Sequence, residues 1–111
     1  MEILLKNIEQ VTVVTPVGSI DALTAEEVTA ILAGQTSQGK KNLVLDFSKV
    51  EFMSSAGLRA ILAALKDCRS MGGDLRIAAT QPGVEKVLKL SGFTTILKTY
   101  LVVDQAVQSF A

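Results

Sequence analysis

The chain contains no histidine and no tryptophan, and only one tyrosine and one cysteine among its 111 residues. Without histidine there is no Ser-His-Asp triad, no histidine phosphocarrier and little scope for a zinc site. With Tyr100 as the sole tyrosine, there is no platform on which nucleic-acid bases would stack. Cys68 has no second cysteine to pair with, which fits a reduced, cytoplasmic setting. An excess of either charge is also absent: eleven Lys plus Arg balance eleven Asp plus Glu. Binders of a phosphate backbone normally carry a basic excess or stripe, so nucleic acid is not an expected partner, and neither is an anionic membrane surface. No apolar run approaches the ~20 residues of a membrane span. The start, Met1-Glu2-Ile3-Leu4-Leu5-Lys6, lacks the basic end and apolar core of a signal peptide, so membrane insertion is not expected.

What is present is a large apolar fraction, 49% of the residues, which in a chain of this length suffices for one full core without disulfide or metal. Ile3 to Ile8 reads as a strand. Val11 to Val17, rich in Val and Thr, reads as a second, joined to the first as a hairpin by Glu9-Gln10. Pro16 favours an edge position or a strand end, because it has no N–H for a ladder. Thr24-Ala25-Glu26-Glu27 has the form of a capping box. The helix it opens carries Val28, Ile31 and Leu32 on one face and is expected to stop over Gly34 to Gly39. Asn42 to Asp46 is almost wholly apolar, as suits a central strand buried on both faces. A second helix is expected from Ser55 or Ala56 to Met71, with Leu58, Ile61, Leu62, Leu65 and Cys68 as its buried stripe and Gly72-Gly73 as its stop. Asp74 to Ala79 reads as a strand. A short helix follows from Pro82 to Leu90, then a strand over Ile96 to Leu101 and a closing amphipathic helix over Val103 to Phe110. The order β-β-α-β-α-β-α-β-α implies one α/β domain over residues 1–111, built on a mixed, mostly parallel sheet with an N-terminal hairpin.

Two motifs fail in context. Gly34-Gln35-Thr36-Ser37-Gln38-Gly39-Lys40-Lys41 has the glycine spacing and lysine of a P-loop. Lys41, however, stands where a Ser or Thr would bind magnesium, and the segment closes a helix where a P-loop opens one. Asp46 at a strand end resembles the phosphate acceptor of a receiver domain, but only Glu9 is nearby in the pattern to help hold the magnesium that chemistry needs. Asp46 is instead expected to fold the next turn by accepting backbone N–H groups. Cys68 falls on the apolar stripe and reads as a small buried hydrophobe. No carboxylates form a catalytic constellation, no metal or other cofactor is expected, and the chain reads as a non-enzyme.

The most informative segment is Asp46-Phe47-Ser48-Lys49-Val50-Glu51-Phe52-Met53-Ser54-Ser55-Ala56-Gly57-Leu58, which leads from the central strand into the second helix. A serine at a helix start can cap the exposed amides, or it can carry a phosphoryl group whose charge the helix terminus tolerates. The residues leave both roles open, for Ser54 and for Ser55. Together with Leu43-Val44-Leu45, this segment resembles the signature of STAS domains, and within them the free-standing anti-sigma factor antagonists of bacteria. Gly18-Ser19-Ile20-Asp21, Gly72-Gly73 and Val87-Leu88-Lys89-Leu90-Ser91-Gly92-Phe93 resemble further segments of that family.

The resemblance implies a partner-switching role. It implies binding to an anti-sigma factor that is also a serine kinase, phosphorylation by that kinase at Ser55 (with Ser54 as the alternative), and dephosphorylation by a PP2C-type phosphatase. It also implies a partner surface over Asp21, Met53, Ser54, Ser55, Ala56, Gly57 and Leu58. The sequence departs from the family pattern where Ser54 replaces an Asp and Ala56 replaces a Ser or Thr. The first departure favours a second possibility: a STAS scaffold that is not phosphorylated, such as a lipid-transport accessory subunit or a component of a signalling assembly.

Overall fold

Leu43, Val44 and Leu45 have no solvent-exposed surface, which places their strand at the centre of a sheet covered on both faces. In the computed structural model, which describes residues 1–111, the strands are β1 (Glu2–Ile8), β2 (Val11–Val17), β3 (Asn42–Asp46), β4 (Asp74–Ala78) and β5 (Thr99–Tyr100). They lie side by side in chain order. β1 and β2 form an antiparallel hairpin, and β2, β3, β4 and β5 run parallel to one another. The helices are α1 (Thr24–Ser37), α2 (Ser55–Ser70), α3 (Pro82–Leu90) and α4 (Val103–Gln108), with a single 3-10 turn over Phe93–Thr95. The order is the one expected from the sequence.

The period-2 alternation of the strands divides the apolar residues between two layers. Val14, Leu43, Leu45, Leu75 and Ile77 face the main core, where Val28 and Leu32 of α1, Ile61, Leu65 and Cys68 of α2, and Val84 and Leu88 of α3 meet them. Val11, Val13, Val44 and Ala78 face the other way and are covered by Ala106 of α4, with Val103, Val107 and Phe110 beside it. On α2 the buried stripe is Gly57, Ala60, Ile61, Ala64, Leu65 and Cys68. The small residues among them let α1 lie close. Burial, then the charges of Asp67 and Asp74, push the Cys68 thiol up to about 12, so it stays protonated and inert at neutral pH.

The hairpin turns through Glu9 at φ 55°, the sign required of the first turn residue in primed hairpin turns. Ile8 and Val11 flank this two-residue connection and face each other, so they form a hydrogen-bonded pair. The alternation of the antiparallel ladder then puts Pro16, opposite Ile3, at a position whose N–H side faces β3. The β2–β3 ladder ends at Val14, so the missing proline donor costs nothing there, in keeping with the strand-end reading.

The cap of α1 and the extent of the last strand differ from the sequence reading. α1 stops at Ser37, inside the expected stretch Gly34 to Gly39, with Gly39 at φ 86° making the turn. Thr24-Glu27 is not a capping box: the Thr24 hydroxyl accepts the Asp21 amide at 2.8 Å, and Glu27 accepts the N-terminal amine of Met1. The cap is Asp21, whose Oδ1 accepts the amides of Leu23 and Thr24, each at 2.9 Å. The last strand is two residues long, because the 3-10 turn takes up the approach to it and Leu97 bonds back to Phe93.

At the end of the sheet away from α2's first turn, Asp74 joins three segments. Its Oδ1 accepts Arg69 Nε and its Oδ2 accepts Arg76 Nε, both at 3.0 Å. Arg76 also donates to Ser109 at 2.7 Å and stacks over the Phe110 ring at 4.1 Å. Burial raises the Asp74 pKa, but the hydrogen bonds from Arg76, Arg69 and the Leu75 amide outweigh it and hold the carboxyl below its ordinary value. Asp74→Asn is expected to cost about 2 kcal/mol at pH 7, since both guanidinium groups lose a charged acceptor. A folded-state pKa below the unfolded one gives stability that is fully present above about pH 4 and is lost as pH falls through the folded value. The gap between wild type and variant in denaturant titrations should therefore close below about pH 4, and a constant gap would contradict this assignment.

Candidate functional site

The corner is built by two short segments that cross the C-terminal ends of β2 and β3. Ile20 and Met53 form an isolated parallel bridge. The Ile20 amide donates to the Phe52 carbonyl at 2.9 Å, and the Ser54 amide donates to the Ile20 carbonyl at 2.8 Å. This small ladder fixes the chain just before α2 begins. Upstream, Asp46 folds the loop as expected: its Oδ1 accepts the Ser48 amide at 3.0 Å and its Oδ2 accepts the Thr15 hydroxyl at 3.3 Å.

Ser54 is the N-cap residue of α2, in extended conformation, but its side chain caps nothing. Its Oγ is turned inward, buried and without a hydrogen-bond partner. Ser55, the first helical residue, is exposed. The amides of Ser55, Ala56 and Gly57 have no acceptor in the protein, whereas the Leu58 amide returns to the Ser54 carbonyl at 3.2 Å. The two serines, equivalent in the sequence, are thus distinct in the fold: one hydroxyl points into the protein, and the other reaches solvent beside the positive end of a 16-residue helix.

The corner brings together all seven residues singled out from the sequence, though not as one surface. Ser55 is exposed and Ala56 and Leu58 are half-buried. Met53 is 1% exposed and belongs to the core, which corrects its expected place on the partner surface. Gly57 is buried as well. A Cβ there would lie 2.5 Å from Met53 Cγ and 3.0 Å from Ile20 Cγ2, so the glycine lets α2 settle onto the Ile20–Met53 bridge. Met53 and Gly57 shape the corner from beneath. Asp21 is exposed and fully engaged as the α1 cap. Bonds from the amide and hydroxyl of Thr24 hold its carboxyl below the ordinary range, against a small opposing effect of burial.

The surface around Ser55 includes residues the sequence did not single out. Phe52 is 53% exposed and Leu23 79% exposed. Val50 and Met53 point inward, so Phe52 turns out by default. Beside them runs a shallow groove of about 410 Å³ between α1 and α2, with Ala22, Ala25, Ala56 and Ala60 along it and Glu26 and Arg59 as its charges. The alanines at helical spacing were the available signal, but they read equally well as core.

The STAS domain family profile matches residues 2–106, and the chain belongs to that family. BtrV of Bordetella bronchiseptica, which carries the provisional name of anti-sigma factor antagonist, is 32% identical over 96 residues, covering 86% of this chain and 83% of BtrV. A solved anti-sigma factor antagonist from Mycobacterium paratuberculosis superposes with a TM-score of 0.90 at 26% identity, covering 98% of this chain and 92% of that one. The anti-sigma factor antagonist SpoIIAA in its unphosphorylated form superposes at 0.85 with 19% identity, over 97% and 95% of the two chains, and shares the fold. No helix is long and apolar enough to cross a membrane.

Proposed function

We propose that this STAS protein is an anti-sigma factor antagonist that binds an anti-sigma factor serine kinase through the Ser55 corner and is released when Ser55 is phosphorylated. It acts as a regulatory binding protein and not as an enzyme. The name of the BtrV relative supports the class. The observation that carries the switch is the division between the serines: Ser55 is exposed at the start of α2, while the Ser54 hydroxyl is buried.

Unmodified, the corner is small and neutral, with Ala56, Leu23 and Phe52 offering apolar surface. Phosphorylation adds about −1.5 to −2 charges. Within the domain the free amides of α2's first turn tolerate that charge, by about 0.3–1 kcal/mol. At a docked interface the phosphoryl group loses water and is exposed to any acidic groups of the partner, so binding is opposed. The fold does not need to rearrange. A PP2C-type phosphatase returns the protein to its binding form.

The reading is tested by titrating the unmodified protein into a complex of the anti-sigma factor kinase and its sigma factor. Release of the sigma factor is the expected outcome. A complex that persists at saturating antagonist would remove the function and leave a STAS scaffold, the reading favoured by the inward Ser54 where the family pattern has an Asp.

A further inference from the structure

The two edges of the sheet are unlike. β5 closes one side with two residues, too short to template another strand. β1 closes the other with seven residues, no proline and no bulge. It leaves both Leu4 and Leu5 46% exposed, on opposite faces. An edge of this length without proline or bulge is a site for strand addition by any strand that can satisfy its Glu2 and Lys6 charges.

The hairpin fixes which backbone groups are free. Ile8 pairs with Val11 across the two-residue turn, so Glu2, Leu4, Lys6 and Ile8 bond to β2. The N–H and C=O groups of Ile3, Leu5 and Asn7 therefore point outward. An antiparallel strand can use them only in registers that set odd residues opposite odd ones, if that strand is β1 of a second copy. In one such register Leu4 faces Leu4 of the copy, Ile3 faces its Leu5, and Glu2 faces its Lys6. Both Glu2–Lys6 pairs then occupy non-hydrogen-bonded positions, where side chains approach most closely, and the Leu4 pair lies between them. Sliding the copy by two residues in either direction sets Glu2 against an apolar residue and leaves Lys6 without its acid. The segment Glu2-Ile3-Leu4-Leu5-Lys6 is thus complementary to itself in charge and in apolar pattern.

We infer that β1 pairs antiparallel with β1 of a second copy, centred on Leu4, so that two sheets join into one in a two-fold symmetric dimer. Neither Ser54 nor Ser55 lies on this strand, so each copy keeps its corner and the pairing stands independently of the proposed switch.

Sedimentation of the full chain tests it, with the variants Glu2→Lys, Lys6→Glu and the double exchange. Wild type should double from 11.8 kDa as concentration rises. Each single variant places like charges opposite each other twice and should raise the dimer dissociation constant about tenfold or more. The double exchange restores both pairs and should recover wild-type association. Glu2 and Lys6 are exposed, so far-ultraviolet circular dichroism should be the same for all four. A wild type that stays a single chain at ~0.5 mM, an effectively high concentration for a specific dimer, would show that Lys6 guards the edge and would overturn the inference. So would a dimer indifferent to the single exchanges, or a double exchange that fails to recover.

Discussion

Phosphorylated protein should bind the anti-sigma factor kinase several-hundred-fold more weakly than unmodified protein, and Ser55→Asp should reproduce about a hundredfold of that loss. The estimate follows from charge. A desolvation and repulsion penalty of about 3–4 kcal/mol for a phosphoryl group corresponds to a several-hundred-fold change. A single carboxylate carries about half the charge and should cost somewhat less. Ser55→Ala removes only a hydroxyl from an exposed position and should bind within about threefold of wild type. Calorimetry on the three proteins separates charge from shape. Equal affinities for Ser55→Asp and wild type would end the switch hypothesis, because nothing else at the corner changes.

Gly73→Ala should be the most damaging small substitution for stability, at about 3 kcal/mol. A Cβ at position 73 would lie 2.1 Å from the Lys41 carbonyl oxygen, 2.6 Å from its carbon and 2.8 Å from Asn42 Oδ1. The struck oxygen is the acceptor for the Asp74 amide at 3.0 Å, the bond that starts β4 beside β3. Backbone cannot step aside as a side-chain tip can, so β4 must retreat from the central strand or lose that bond. A fall in Tm of about 12–24 °C is expected from the usual 4–8 °C per kcal/mol for small domains. A Tm within about 3 °C of wild type would mean that the α2–β4 connection yields more than its close contacts imply.

Much of the architecture was legible because period and punctuation agreed. β3 showed itself as an unbroken apolar run, α2 as a three-four stripe closed by Gly72-Gly73, and α3 as a helix with Pro82 in its first turn. Misreadings arose where one local pattern has two physical solutions. Thr24 with Glu27 satisfies the capping-box spacing, but the helix is capped three residues earlier, where Asp21 accepts the amides of Leu23 and Thr24. Within Gly34 to Gly39, where α1 was expected to stop and does, Gly34 itself stays helical: a glycine inside a helix costs only about 1 kcal/mol relative to alanine, and Leu32 and Thr36 bury the turns on either side. Ile96 to Leu101 has strand-forming residues, but only Thr99 and Tyr100 find a partner on β4. At the corner, spacing located the residues and could not say which way they face. Met53 and Phe52 are adjacent and both apolar, and the bridge to Ile20 sends one into the core and the other to solvent. The same holds for the serines, one with its hydroxyl buried and one exposed.

The central claim is that one hydroxyl, that of Ser55, receives the phosphoryl group. It is tested most directly by incubating the protein with ATP and the anti-sigma factor kinase and mapping the product by intact-mass and peptide mass spectrometry. A single phosphoryl group on Ser55 is predicted, retained in Ser54→Ala and lost in Ser55→Ala. An unchanged mass, or modification of Ser54 in the wild-type protein, would contradict the account.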